Sequence, residues 1–344
     1  MSENNTAPRS FTRRKVVKGS VLAFAVTMGL VLSGCAPGDN GARGDSSDSK
    51  PLAKVSIGYS SPGASYSDLY IGQSEGVFKK NGLDVTLRTL NSSSQVIPAI
   101  LSNSVDIAIG SATESAAAIM KGSELTVIAI TRPVFNLEVY VDPKVKTIAD
   151  LKGKKIGLTS PGSQSDQALT AWLEKNGMKR EDVEPTYVKS IPGQLAALQS
   201  GSVSAILSQP PQTKQVLDAG FTVLAQLTDI PFPSAAVVVT NQFLKDHADI
   251  VDAFVKSEVE NLKLLQSDEA AAIKAIQQYS GVADKVAAKY AYDFFKGVWG
   301  TDLTPKTALV KQAFDLAAIA VSEPAPADVT KFINSSFAEK YVGK

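Results

Sequence analysis

The chain is 344 residues long, with 35 Lys and Arg against 34 Asp and Glu, a net charge of +1, one histidine and one cysteine. Basic residues that balance the acids and stay scattered exclude a nucleic-acid surface, which needs clustered Lys and Arg. The lone His247 excludes a multi-histidine metal centre, and the lone Cys35 excludes a disulfide framework and a thiolate zinc site.

The N-terminus carries Thr12-Arg13-Arg14-Lys15-Val16-Val17-Lys18, then an uncharged apolar run over residues 21–32 that ends in Leu32-Ser33-Gly34-Cys35. The run is about a dozen residues, shorter than the ~20 of a membrane-crossing helix. The order basic, apolar, small-residue marks an export signal over residues 1–34. Leu32-Ser33-Gly34-Cys35 resembles the lipobox of bacterial lipoproteins at all four positions. That resemblance implies cleavage before Cys35 and lipidation of its thiol. Val16 and Val17 stand where an aromatic and a leucine are commoner, so the twin-arginine and general secretory routes both stay open. Residues 35–53, rich in Gly, Ser and Asp, read as a flexible tether, with folded sequence from about Lys54.

Strands and helices then alternate. Strands are expected at 55–59, 83–87, 106–109 and 125–131, and helices at 68–80, 95–101 and 113–121. The pattern restarts with a short helix at 147–151, strands at 155–158, 184–188 and 205–207, and helices at 164–176, 193–199 and 212–219. Gly82, Gly122, Gly177 and Gly220 stand where helices stop. Such alternation predicts an α/β fold with mostly parallel sheets flanked by helices. Beyond Phe243 the chain reads as helical, with Ile250, Phe254, Val255, Val259, Leu262 and Leu265 on one face. His247 falls at a helix–helix junction and reads as a solvated surface residue.

A repeat links the two sections. Ala99, Ser102, Ser104 and Val105 recur as Ala197, Ser200, Ser202 and Val203, and Gly122 as Gly220, all at an offset of 98. Two lobes of one design follow: residues 54–138 plus 240–344, and an inserted lobe over 142–234. Apolar strands near 137–141 and 235–239 are expected to connect them as a hinge.

Ligands in open parallel sheets bind beyond the carboxyl ends of the strands. Those ends lead here into Ser60, Ser61 and Tyr66; Ser94; Gly110 and Ser111; Ser160, Ser163 and Ser165; and Gln209. Each serine alone is an ordinary helix N-cap. Together they present hydroxyls, free backbone N–H groups and helix N-termini to one place, which favours an anion. Arg88 and Arg132 are the nearest basic residues, and solvation accounts for either equally well. No Walker-type loop or Gly-x-Gly-x-x-Gly fingerprint occurs, and no catalytic, cofactor or metal residue is assigned.

Ser74-Glu75-Gly76-Val77-Phe78-Lys79-Lys80-Asn81-Gly82-Leu83-Asp84-Val85, the step Val105-Asp106-Ile107-Ala108, and the run from Lys146 to Gly157 resemble motifs of the nitrate/sulfonate/taurine-type periplasmic solute-binding proteins (class II, NMT1-like). The resemblance runs from about Lys54 to Lys256. It implies a Venus-flytrap fold (periplasmic binding protein type II), usually monomeric, that hands a small organic anion (a sulfonate, carboxylate or nitrate-like ligand) to an ABC permease and its ATPase without chemistry. It also implies that the strand-end residues contact the ligand. Ser208-Gln209-Pro210-Pro211 lacks the acidic or aromatic residue many taurine-type members carry there, which disfavours an amino-sulfonate. Combined with Cys35, it implies an exported protein lipid-anchored to the outer face of the cell membrane. A neutral heterocycle such as a thiamine-precursor pyrimidine, a ligand-sensing role, and an enzyme on the same fold are the alternatives.

Overall fold

Val55, Ile57 and Tyr59 are all buried, so the first folded segment is a strand seated in a core. The computed structural model describes residues 51–60, 62–90, 95–300 and 302–343. Cys35, the expected signal and the tether up to residue 50 therefore lie outside the described residues, as do Ser61 and Ser94.

The first section runs β1 (Ala53–Tyr59), α1 (Ser67–Ser74), α2 (Val77–Lys80), β2 (Leu83–Thr89), α3 (Val96–Leu101), β3 (Ile107–Gly110), α4 (Ala112–Met120) and β4 (Leu125–Val134). The helix expected over 68–80 is broken in two. Gly76 adopts a left-handed backbone with φ +70°, which ends α1 and restarts the chain as α2. The second section runs β5 (Glu138–Val141), β6 (Lys155–Leu158), α5 (Gln164–Lys175), β7 (Glu184–Tyr187), α6 (Ile191–Gln199), β8 (Ala205–Ser208), α7 (Lys214–Asp218) and β9 (Thr222–Gln226). The chain then returns through β10 (Pro231–Thr240) into α8 (Asn241–Asp246), α9 (Ala248–Ser267), α10 (Glu269–Tyr279), α11 (Lys285–Phe295), α12 (Thr307–Val321) and α13 (Ser336–Glu339).

Two five-stranded sheets result, in the orders β2-β1-β3-β10-β4 and β7-β6-β8-β5-β9. In each, one strand runs against the other four: β10 in the first and β5 in the second. The first sheet is covered on one face by α1 and α9–α11 and on the other by α3, α4 and α12. The second packs α5 on one face and α6 with α7 on the other. This is the two-lobed α/β architecture that the alternation predicts.

The repeat is structural. Ala99–Ile109 and Ala197–Leu207 occupy matching places, α3–β3 and α6–β8. Ser102 Oγ donates to Ala99 O at 3.1 Å and meets Ser104 Oγ at 2.9 Å, and Ser200 Oγ makes the same bonds to Ala197 O and Ser202 Oγ at the same lengths. Gly122 and Gly220 take φ +90° and +91°.

The segments 137–141 and 235–239, expected to be connecting strands, are each built into a sheet. Glu138–Val141 pairs with β8 and β9, and residues 235–239 lie inside β10 between β3 and β4. Their apolar side chains are buried between neighbours, and the crossings are left to residues 135–137 and 227–230. Those crossings run side by side. Phe135 N donates to Ile230 O at 3.2 Å and Leu227 N to Leu137 O at 3.0 Å, and the rings of Phe135 and Phe232 stack 4.0 Å apart. His247 sits exposed between α8 and α9 against the ring of Phe243.

Candidate ligand-binding cleft

Strand ends from both sheets meet at a cavity of about 530 Å³. From the first sheet, β1 delivers Ser60, whose hydroxyl meets Tyr66 OH at 2.8 Å, and β3 delivers Gly110 and Ser111. Ser111 caps α4, its Oγ accepting from Glu114 N at 3.3 Å. From the second sheet, the loop after β6 supplies Ser160 and Ser163, the latter at the N-cap of α5, and β8 leads to Gln209. Helix α5, a dozen residues long, therefore aims its N-terminus at the cavity, and α4 does so from the other side.

The cation of the site is Arg132, near the end of β4 and 3% exposed. Its Nη1 donates to Ser65 O at 2.7 Å, and its Cζ lies 4.4 Å from the ring centroid of Tyr66. Behind it lie two fully buried carboxyls, Asp68 on α1 and Glu258 on α9. Glu258 Oε1 accepts from Asn261 Nδ2 at 3.0 Å, while both Asp68 oxygens and Glu258 Oε2 lack a conventional donor. Burial raises Glu258 well above the ordinary carboxylate range, helped by the neighbouring charge of Asp68. Burial likewise raises Asp68, against the lowering pull of Arg132. Burial of both groups and the repulsion between them disfavour two charges here, and Arg132 is the nearby positive charge.

An amide relay crosses the cleft. Gln164 Nε2 donates to Asn136 Oδ1 at 2.5 Å and to Ser234 Oγ at 2.8 Å, and Asn136 Nδ2 donates to Gln209 Oε1 at 2.7 Å. Phe232 closes the floor and Glu114 stands on the wall, where burial raises its carboxyl.

Seven of the sequence-predicted residues line the cavity: Ser60, Tyr66, Gly110, Ser111, Ser160, Ser163 and Gln209. Ser165 does not. Its hydroxyl is buried under the loop, accepting from Thr159 N at 3.1 Å and meeting Ser163 Oγ at 3.0 Å, so it shapes the turn instead of facing the cavity. Sequence reasoning left Arg132 unassigned and missed Asn136, Gln164, Ser234, Phe232 and Glu114. Arg132 sits on β4 because that strand extends three residues past its expected end. Asn136 lies in the crossing at 135–137, just before the expected hinge strand, where the sequence singles out no polar residue. A larger groove of about 700 Å³ between α10 and α11, lined by Glu269, Lys274, Lys285 and Lys289, is a surface feature away from these strand ends.

Comparison with known proteins agrees in kind. A protein of Escherichia coli (strain K12) named for binding aliphatic sulfonates is 26% identical over 173 residues, 49% of this chain and 54% of that protein. The chain thus spans about half the length of the curated relatives it matches. The crystal structure of the periplasmic aliphatic sulphonate binding protein of Escherichia coli superposes with a TM-score of 0.69 at 22% identity, covering 82% of this chain and 97% of that one. The periplasmic nitrate-binding protein of Synechocystis PCC 6803 gives a TM-score of 0.65 at 15% identity, covering 84% and 88%. These superpositions show a shared periplasmic-binding-protein fold. The family described as NMT1/THI5 like matches residues 64–262, more than half of the sequence, and the chain belongs to that family.

Proposed function

We propose that the chain is the extracytoplasmic substrate-binding component of an ABC importer, capturing a small organic anion between its lobes and releasing it unchanged to a permease and its ATPase. The observation that carries this reading is Arg132, a buried guanidinium at the cavity on which the N-termini of α4 and α5 converge. A fixed cation among oriented N–H groups favours a negative ligand group and gives a neutral heterocycle less to bind. The names of the relatives, for sulfonates and for nitrate, point to the same ligand chemistry. A cavity of about 530 Å³ suits an anion with an organic body better than nitrate alone.

Ser60, Tyr66, Gly110, Ser111, Ser160, Ser163 and Gln209 are the proposed contacts, with Arg132, Asn136 and Gln164 added. The lobe built on the first sheet, with β1–β4 and β10, and the lobe built on the second, with β5–β9, close about the crossings at 135–137 and 227–230, which moves Glu138 and residues 231–234 across the bounds expected from sequence. Ligand that bridges both stabilises the closed arrangement by contacts the open one lacks. Among the described lining residues Glu114 is the one carboxylate, and none is a histidine or a cysteine. Export, lipid attachment at Cys35 and residence on the outer face of the membrane belong to the same proposal.

A thermal-shift screen tests it. The full chain, unfolded and refolded to strip bound ligand, is challenged with alkanesulfonates, nitrate, aliphatic and aromatic carboxylates, and pyrimidines. A ligand at 100 times its dissociation constant adds about 2.7 kcal/mol. A shift with organic anions, lost in Arg132→Met, supports the reading. A response confined to neutral pyrimidines overturns the anion assignment.

A further inference from the structure

A second polar cluster lies beside the cleft without lining it. Glu138 and Tyr140 of β5 are buried, at 1% and 0% exposure, and no cation accompanies the carboxylate among the described hydrogen bonds. Glu138 Oε2 accepts from Tyr140 OH and from Tyr290 OH, the latter at 2.6 Å, and Glu138 Oε1 accepts from Gln226 Nε2 at 2.8 Å. Tyr140 OH also meets Tyr290 OH at 2.7 Å and Thr213 Oγ1 at 2.5 Å. Burial pushes both phenols up, so each keeps its proton, and with both donating to Glu138 the Thr213 hydroxyl donates to Tyr140.

Glu138, Tyr140, Thr213 and Gln226 all belong to the second sheet and its loops. Tyr290 does not. It stands on α11, whose other residues, such as Ala291 and Phe295, are packed in the core of the first lobe. Helix α11 also packs against the Ala64–Tyr66 turn that carries a wall of the cleft. On the other side, Thr213 ends the loop that begins with Gln209. Tyr290 thus bridges from the helix behind Tyr66 to the loop behind Gln209, next to the first crossing.

We infer that Tyr290 is a positioning residue for ligand capture: its hydroxyl, donating to Glu138 across the lobes, sets the angle at which the Gln209 loop faces the Tyr66 turn. The inference rests on the cleft reading above for its consequence in binding, and on the cross-lobe bonds alone for its geometry. A hydroxyl to a buried carboxylate is a strong bond in such surroundings, because its acceptor has no water to turn to. Removing it deletes one tie between the lobes while leaving the acceptor two partners within its own lobe.

The test measures inter-lobe distance directly. Spin labels are placed at Lys121→Cys, past the end of α4, and Glu174→Cys, near the end of α5, in the full chain carrying Cys35→Ser. Both positions are exposed. In the ligand-free protein, Tyr290→Phe is expected to broaden the distance distribution and displace its mean, and Glu138→Gln to do the same in weaker form. Loss of stability alone does not move a distance measured well below the melting transition. In the same variant, binding of whichever anion shifts the wild type weakens by roughly three- to tenfold. Distributions of Tyr290→Phe and Glu138→Gln that coincide with the wild type overturn the inference. If no anion alters the wild-type distance or melting, the cleft reading fails, and the ligand-free comparison still decides the role of Tyr290.

Discussion

Arg132 lies face-on to Tyr66, its Cζ 4.4 Å from the ring centroid, and the same guanidinium donates to the carbonyl of Ser65, one residue earlier, at 2.7 Å. The cation therefore braces the turn that carries the aromatic wall of the cleft. It also balances the carboxyls of Asp68 and Glu258. Replacing it by Met leaves those buried acids without a counter-charge, which costs about 3 kcal/mol. Arg132→Met is expected to lower the urea midpoint accordingly and to abolish the thermal response to anions.

The acid pair also gives stability a pH dependence. Both carboxyls sit above their ordinary values of 3.8 and 4.5 in the folded chain. The folded state then keeps a proton that the unfolded state releases, so stability falls as pH rises from the ordinary carboxylate range through the raised one. Urea titrations between about pH 5 and about pH 8 should show this decline, and Glu258→Gln should flatten it.

Glu114 contributes the opposite charge to the cleft wall. It is raised by burial, and an anion bound nearby repels its ionised form. Glu114→Gln is expected to tighten anion binding by up to about 1 kcal/mol, measured by isothermal titration near neutral pH. Weaker binding in that variant would instead identify a donor group on the ligand that uses the carboxylate.

Helices α1 and α9 touch at Gly72. A Cβ there would approach Phe78 Cε2 and Asn261 Oδ1 to 2.7 Å, and Asn261 Nδ2 closer still. Asn261 is fully buried and holds Glu258, so it has little freedom to give way. Gly72→Ala should cost about 1–3 kcal/mol in denaturant unfolding, with no change in which anions bind.

Much of this is legible in the sequence alone. Strand–helix alternation and the glycine stops located most elements, because burial of apolar runs and left-handed helix ends are local effects. The offset of 98 between Ser102-x-Ser104 and Ser200-x-Ser202 carried the twofold design, down to matching hydroxyl bonds. The strand-end rule found the serines of the cleft. What it could not supply was depth. Whether Arg132 is solvated or buried depends on α9 bringing Glu258 to Asp68, a contact between residues 190 positions apart. Ser165 failed for the converse reason, since its neighbour Ser163 already faces the cavity and the turn folds the next hydroxyl beneath it. Asn136 and Tyr290 act across the lobes, and nothing in their local sequence announces that.

The burial of Arg132 has a consequence for where such a protein can work. Exposed charges lose their attraction for a ligand beyond about 8 Å at the ionic strength of body fluids, and sooner in brine. Here the cation is 3% exposed, and the other polar groups around the cavity are mostly neutral amides, hydroxyls and backbone N–H groups. A guanidinium this buried, with a tyrosine ring over it, meets dissolved ions only through the cavity it lines. Salt should therefore weaken capture mainly by competition inside the cavity, and less by screening than at an exposed cation.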